Sequence, residues 1–154
     1  LQKIMYFLKI LDIPMQYTFD IHHYGPFCEK ILHDIDLLIA DDVIQDTSQD
    51  PQRYSNYAPS SNAEELISKY KDNVGEYTER IRKLVSSLVP ISPERLELFA
   101  TLDYLYRWFE ASYDRGPWRD KVIARFREIK RDKFSEEEVK EAYDILVKTG
   151  LIEK

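Results

Sequence analysis

The sequence predicts a mainly α-helical protein with a small β content, in which a winged-helix-like N-terminal part precedes a helical bundle. Apolar residues recur at helical spacing along most of the chain. The 154 residues include only 4 Gly but 11 Tyr and 7 Phe, which favours helices with aromatic packing over a turn-rich β-sandwich. With 44% apolar and 32% charged residues, the chain can bury a core and is too apolar to be disordered.

The N-terminal part is predicted to run helix, strand, helix, strand. Apolar residues at helical spacing indicate a helix over residues 1–11, and alternating apolar and polar residues indicate a half-buried strand over 17–21. Pro26 suits the first position of a helix, because its missing N–H would have no partner there, and we expect that helix to span 26–41. A short strand at 43–44 then follows a left-handed turn at Asp42.

Residues 46–61 show no periodicity and are predicted to be a loop or wing. Asn62 and Glu65 then resemble a capping box, which predicts a helix over 62–88 that can kink at Gly75. Its apolar residues are three and four apart, the a/d spacing of a straight packing seam: Ile67, Tyr70, Val74, Tyr77, Ile81, Leu84 and Leu88.

This seam has two interpretations. It can pack on the next helix of the same chain, which we favour because tyrosine is unusual in a two-stranded coiled coil. Alternatively, it can pair with a second copy of the chain and form a homodimer.

Three further helices are predicted. Ser92 caps a helix that ends before Gly116-Pro117, and the next helix spans 118–131. Ser135 and Glu138 form the capping box of the last helix, and Gly150 suits its left-handed C-terminal cap.

These last helices form a helix-turn-helix-like end of the chain. We therefore assign residues 1–61 to the winged-helix-like part and 62–154 to the bundle, within one compact domain. The single cysteine, Cys28, allows no intrachain disulfide, and no basic and apolar leader opens the chain at Leu1, so we expect a cytoplasmic location. No apolar run approaches the roughly 20 residues of a membrane span, so no membrane partner is expected.

The sequence indicates no catalytic, cofactor-binding or metal-ligating residues. The three histidines and Cys28 lie between residues 22 and 33, but their spacing matches no common zinc pattern. Asp34 and Asp36 lie on different faces of the predicted helix, and no phosphate-binding glycine loop or nucleophile elbow is present. These observations predict a binding protein and not an enzyme.

Charge is unevenly distributed along the chain. Residues 1–62 hold 4 basic and 9 acidic side chains, whereas 115–133 hold 8 basic and 3 acidic ones. The basic segment can contact nucleic-acid phosphates or an acidic protein surface. The residues we predict to make such contacts are Trp118, Arg119, Arg125, Arg127 and Arg131.

Two candidate recognition helices argue against specific DNA binding. The last helix begins Ser135-Glu136-Glu137-Glu138, and the helix over 26–41 carries Glu29, Asp34 and Asp36. Acidic groups at a helix end that enters a DNA groove repel phosphate. Exposed aromatic residues would then serve a protein partner, and the candidates are Tyr104, Trp108 and Trp118.

Three short segments carry a family resemblance: Leu1-Gln2-Lys3-Ile4-Met5-Tyr6-Phe7-Leu8, His23-Tyr24-Gly25-Pro26-Phe27 and Asp34-Ile35-Asp36-Leu37-Leu38. Residues 1–45 resemble the YwgA-like family of uncharacterised prokaryotic proteins and, more distantly, the Panacea or SocA-type antitoxin domain, which shares the LQK opening and the Tyr-Gly-Pro turn.

The resemblance implies a small helical regulatory domain that acts as antitoxin or adaptor through protein contacts, without catalytic residues to carry over. The expected partner is a toxin-like protein or one with an acidic surface. A winged-helix-type DNA-binding transcriptional regulator is the alternative. We expect residues 23–26 to form a structural turn in which Gly25 needs a positive φ.

Overall fold

The fold is mainly α-helical with two small antiparallel sheets of two strands each in the described part of the chain, as the sequence predicts. The computed structural model describes residues 1–49, 55–112 and 115–153. In chain order the elements are α1 (Gln2–Ile10), β1 (Asp20–His22), β2 (Gly25–Phe27), α2 (Glu29–Ala40), β3 (Ile44–Asp46), β4 (Tyr57–Pro59), α3 (Ala63–Lys69), α4 (Lys71–Val74), α5 (Thr78–Leu88), α6 (Pro93–Ala111), α7 (Arg119–Lys130) and α8 (Glu136–Lys148).

The chain divides into two compact units. The first unit combines Leu1–Phe27 with Leu84–Lys154, and the second unit is Cys28–Lys83. The predicted division after residue 61 falls inside the second unit, and a single compact domain stays a prediction. Among the described helices, none is long and apolar enough to cross a membrane.

Helix α6 is the centre of the first unit. It contacts α1, β2, α7 and α8, and most of its residues are buried. Leu102 of α6, Val122 of α7 and Tyr143 of α8 are each almost completely inaccessible to solvent. Tyr6 of α1 adds an edge-to-face contact with Phe19 at 5.4 Å between ring centroids. Because nearly all of residues 96–106 are buried, this middle part of α6 is apolar around most of its circumference.

The predicted helix start at Pro26 is wrong. Pro26 lies in β2 opposite Ile21 of β1, and the helix begins at Glu29 after the cap residue Cys28. Gly25, at φ 86°, reverses the chain into this hairpin. A two-stranded ribbon has an unpaired edge at which the missing N–H of proline costs no ladder hydrogen bond. The predicted strand is confirmed with a small shift, from 17–21 to 20–22.

Two serine-capped helix starts and two left-handed helix ends are as predicted. The Ser92 side chain accepts a hydrogen bond from the Arg95 backbone N–H, and Ser135 with Glu138 forms the capping box of α8. Asp42 and Gly150 both have the predicted positive φ, 55° and 73°. At both positions the following residue donates its N–H to a carbonyl five residues earlier, as in the Schellman motif.

The predicted helix over 62–88 is wrong as a continuous element. Helices α3 and α4 are short, a 3₁₀ turn lies at Gly75–Tyr77, where the sequence predicts a kink, and α5 begins only at Thr78. The Asn62 side chain makes no helix cap; its amide nitrogen donates to the Asp41 carbonyl.

The predicted burial of the seam is also wrong for its first three residues. Ile67, Tyr70 and Val74 are 67%, 47% and 44% exposed. A helix without a packed face has only its own propensity to hold it together, which explains the breaks.

Residues 46–61 contain the second strand of a hairpin. Strands β3 and β4 pair antiparallel, with Ile44 opposite Pro59 and Asp46 opposite Tyr57. A β-hairpin therefore follows directly after α2, and residues 50–54 of that segment lie outside the described part of the chain.

Candidate functional site

Two of the three segments that carry the family resemblance meet on α6, residues 1–8 through α1 and residues 23–27 through β2. The Lys3 ammonium donates a hydrogen bond of 2.8 Å to the Pro26 carbonyl, which joins the start of the chain to the hairpin. Gly25 lies so close to Thr101 that a Cβ atom there would stand 2.5 Å from the Thr101 Oγ1. Lys3 and Gly25 therefore both hold the hairpin turn against α6, and the predicted positive φ of Gly25 is confirmed.

A charged cluster formed by Glu97, Lys130 and Lys133 secures the same turn. The Glu97 carboxylate accepts from the Lys130 ammonium at 2.7 Å and from the Lys133 ammonium at 2.8 and 2.9 Å. Lys130 also donates to the His23 carbonyl, and both Lys130 and Glu97 are buried. Burial lowers the pKa of Lys130, while the bond to Glu97 opposes this effect.

Lys3 stands close enough to the Glu97 cluster to be affected by it. Burial is the main cause that lowers the pKa of Lys3 to about 8; Glu97 attracts its charge, whereas Lys130 and Lys133 repel it. Three ammonium groups thus surround one carboxylate. Lys3 and Lys130 also donate to the backbone carbonyls of Pro26 and His23. The charged groups therefore hold the hairpin turn in place, which is a structural role.

A second buried polar group ties α1 to α6. Asp103, with no exposed surface, accepts from the Tyr6 hydroxyl at 2.6 Å and from the Arg107 guanidinium at 2.8 and 3.2 Å. Burial raises the pKa of Asp103, and the hydrogen bonds from Arg107 and Tyr6 oppose that shift. Arg107 also donates to the Leu151 carbonyl at 3.2 Å. Asp103 thereby connects two helices and the C-terminal segment.

Three of the four arginines predicted to make contacts are paired with carboxylates. Arg119 binds Asp144 at 3.0 Å, Arg125 binds Glu128 at 2.5 Å, and Arg127 binds Glu136 at 3.2 Å. Arg131 is exposed at the end of α7 with a φ of 49°. These pairs lie at the surface, so they hold their geometry only weakly.

The pairing lowers the local charge that a phosphate would meet. The excess of five positive charges over 115–133 falls to two when Glu97, Glu136 and Asp144, which bind this segment from outside it, are included. Sequence spacing does not reveal these partners.

The aromatic candidates differ in accessibility. Trp118 is half-buried and packs edge-to-face on Tyr106 at 5.5 Å between centroids. Its indole N–H is buried and has no hydrogen-bond partner among the described residues. Tyr104 is also half-buried, whereas Trp108 is 54% exposed. Trp108 is therefore the member of this set with most surface for a partner.

Helix α2 carries an apolar surface that sequence reasoning missed. Ile31 and Ile35 are buried, but Leu32, Leu37 and Ile39 are 44%, 51% and 38% exposed. Ile39 is four positions after buried Ile35, yet it is exposed. Leu37 is two positions after Ile35 and therefore lies on another side of the helix, which was the available signal in the sequence.

The same surface is acidic. Residues 29–42 hold five acidic side chains and one lysine. Glu29 and Asp36 are exposed beside the leucines. We call the exposed residues Glu29, Leu32, Asp36, Leu37 and Ile39 the α2 face.

No grouping of three or more His, Cys, Asp or Glu side chains suited to a metal ion occurs in the described residues. Cys28 is buried at the start of α2, and His22, His23 and His33 are exposed. No protein-family model, curated protein or protein of solved structure matches this chain. Its function is therefore inferred from its own surfaces.

Proposed function

We propose that this protein is a non-enzymatic regulatory domain that acts by binding another protein, as an antitoxin or adaptor does. The observation that carries the proposal is the α2 face. In a winged-helix DNA-binding domain, the helix before the wing enters the major groove and meets bases and phosphates. Helix α2 precedes the β3–β4 hairpin, yet it presents leucine, isoleucine and carboxylates there.

Such a face is suited to a protein groove. Carboxylates oppose phosphate, whereas exposed aliphatic side chains gain free energy when a partner removes them from water. Complete burial of a Leu or Ile contributes about 1.5–3 kcal/mol, so covering the exposed halves of Leu32, Leu37 and Ile39 contributes about 1 kcal/mol each. The acidic residues beside them favour a partner with basic side chains at this contact.

The form of the proposed activity follows from the resemblance of residues 1–45 to the YwgA-like and Panacea or SocA-type proteins. The two buried carboxylates, Glu97 and Asp103, form ion pairs with Lys130 and Arg107 of the same chain. Because these pairs stabilise the fold, they support a binding protein over an enzyme. Exposed Trp108 and the arginines of α7 offer a second, basic surface to an acidic part of the partner.

A DNA-binding regulator is the second candidate. The helix-and-wing order of α2, β3 and β4 and the remaining positive charge of α7 favour it. Backbone contacts from Arg125, Arg127 and Arg131 would then make binding strongly salt-dependent.

Fluorescence anisotropy with a random DNA duplex separates the two candidates. We expect no binding by the purified chain at low or physiological salt. Salt-sensitive binding at micromolar protein that is lost in the Arg125→Ala, Arg127→Ala, Arg131→Ala variant would replace our proposal with the DNA-binding one.

Co-purification from the native host tests the α2 face directly. The chain should retain a protein that the Leu32→Gln, Ile39→Gln variant loses. Val89→Gln is the matched control, since Val89 is 63% exposed and lies outside α2. Equal retention by all three chains would reject the α2 face as the contact surface.

A further inference from the structure

The charged cluster around the hairpin turn carries more positive than negative charge. Lys3 donates to the Pro26 carbonyl at 2.8 Å, and Lys130 donates to the His23 carbonyl three positions earlier in the same turn. Lys130 shares its carboxylate partner with a third ammonium group. We call these four residues the turn cluster: Lys3, Glu97, Lys130 and Lys133. Its three ammonium groups and one carboxylate leave an excess of two positive charges.

This excess is costly because part of the cluster is removed from water. Lys130 is 3% exposed and Glu97 is 7% exposed. Burial is the main cause that lowers the pKa of Lys3 to about 8; the carboxylate opposes this effect, and repulsion by the other two ammonium groups adds to it. The exposed neighbours Arg131 and Asp132 carry opposite charges and leave the excess unchanged. A bound anion would relieve the repulsion.

Two members of the cluster keep donors and accessible surface for a ligand. An ammonium group has three N–H donors. In the described part of the chain, Lys3 donates one hydrogen bond, to Pro26, and the Lys133 ammonium contacts the two oxygens of Glu97. Lys3 is half-buried, and the side chain of Lys133 is 35% exposed. The ring of Tyr24, itself 66% exposed, lies 5.3 Å from the Lys133 ammonium and offers a hydroxyl beside it.

We propose that the turn cluster binds a terminal phosphate group, either inorganic phosphate or a small phosphate monoester. A phosphate monoester carries about −1.5 to −2 charges at pH 7, which matches the excess of the cluster. A carboxylate or a phosphodiester of nucleic acid carries one negative charge and would leave half of the excess unbalanced. The cluster belongs to the first unit, and its ligand does not depend on the partner proposed for the α2 face.

Thermal unfolding at pH 7 tests the site with two probes at matched ionic strength: inorganic phosphate, and dimethyl phosphate, a diester of single charge. For a site with a Kd of about 1 mM, about 10 mM inorganic phosphate should raise the Tm of the wild-type chain by about 3–5 °C. Dimethyl phosphate should raise it much less. No response to inorganic phosphate, or an equal response to the diester, would overturn the proposal.

The Lys133→Gln variant locates the ligand, and Lys140→Gln is its matched control. Each of these lysines has an accessible side chain paired with a glutamate, Lys133 with Glu97 and Lys140 with Glu136. Loss of one charged donor should weaken phosphate binding about tenfold and remove most of the Tm increase in Lys133→Gln. The buried ion pair of Lys130 remains in this variant, so it should still fold. Equal increases in both variants would indicate a general salt effect, with an adventitious ion only, and would reject the site.

Lys3→Met and duplex DNA complete the test. Lys3→Met should reduce the response to inorganic phosphate as Lys133→Gln does, and an unchanged response would overturn the assignment of Lys3 to the site. Fluorescence anisotropy should show no DNA binding that Lys133→Gln weakens. DNA binding that this variant does weaken, in a chain whose Tm does not respond to inorganic phosphate, would assign the cluster to nucleic acid and overturn the proposal.

Discussion

Replacing Gly25 with alanine tests how the hairpin turn is docked on α6. The new Cβ would lie 2.5 Å from the Thr101 Oγ1 and 3.6 Å from the Glu97 carbonyl. Thr101 is completely buried, and its hydroxyl donates to the Glu97 carbonyl at 2.7 Å. The hydroxyl therefore cannot turn away without breaking that bond in a buried environment.

Two costs add in this variant. Gly25 has a φ of 86°, and a side chain in the left-handed region costs about 1–2 kcal/mol. An extra carbon in a packed site costs about 1–3 kcal/mol. The sum, about 2–5 kcal/mol, lowers Tm by an amount on the order of 10 °C for a chain of this size. The β-branched Gly25→Val variant should lose more.

Thermal unfolding followed by circular dichroism at 222 nm provides the measurement, and two other glycines separate the costs. Gly150 has a φ of 73° with open space around its Cβ position, so Gly150→Ala should show the backbone cost alone. Gly75 has helical φ and ψ and open space, so Gly75→Ala should raise stability by about 0.5–1 kcal/mol.

Thr101→Ala removes the hydroxyl oxygen that the new methyl group of Gly25→Ala meets. Thr101→Ala should therefore lower the free energy of unfolding less in the Gly25→Ala chain than in the wild-type chain. If Gly25→Ala lowers Tm no more than Gly150→Ala does, the close approach to Thr101 adds no cost. The claim that the turn is packed tightly on α6 would then be wrong.

The charged groups give three further predictions. Glu97→Gln leaves the buried Lys130 ammonium without a carboxylate and should lower the free energy of unfolding, measured in urea, by about 3 kcal/mol. Adding Lys130→Met should restore part of that free energy. No loss in the Glu97→Gln variant would show that the cluster does not stabilise the fold. The pKa of Lys3 is about 8 in the folded protein, against an ordinary value of 10.5. Between pH 8 and pH 10.5 the unfolded chain therefore binds more protons than the folded one, and the contribution of Lys3 to stability rises with pH. Lys3→Met should therefore show a smaller rise of Tm from pH 8 to 10 than the wild-type chain, and equal slopes would contradict the shift. Arg127→Ala, at an exposed ion pair, should leave Tm unchanged, and a clear decrease would mean that its bond to Glu136 is more than a surface contact.

Features that depend on neighbouring residues could be predicted from the sequence. The caps at Ser92 and Ser135 and the left-handed turns at Asp42 and Gly150 each need only a few adjacent residues, and each is present. The proline at position 26 shows the limit of such rules. Proline suits both a helix start and the edge of a strand, and the turn at Gly25 against α6 decides between them.

Features that depend on distant residues could not be predicted. The basic residues of α7 are evident in the sequence, and Arg125 binds Glu128 only three positions away. Other carboxylates that bind this segment are distant: Asp144 is 25 positions from Arg119, and Glu97 is 33 from Lys130. Periodicity shows that a face is apolar, and it does not show what covers that face. For this reason the seam at Ile67 could be recognised while its packing partner was assigned wrongly.

The two compact units differ in how they use apolar side chains. Helix α6 and its neighbours bury most of the large apolar residues of the first unit. The second unit leaves Leu32, Leu37 and Ile39 of the α2 face exposed. Because these side chains are already exposed, Leu32→Gln, Ile39→Gln should abolish partner binding at an unchanged Tm. A Tm that falls together with the loss of binding would mean that these residues support the fold and that the α2 face is not a separate contact surface.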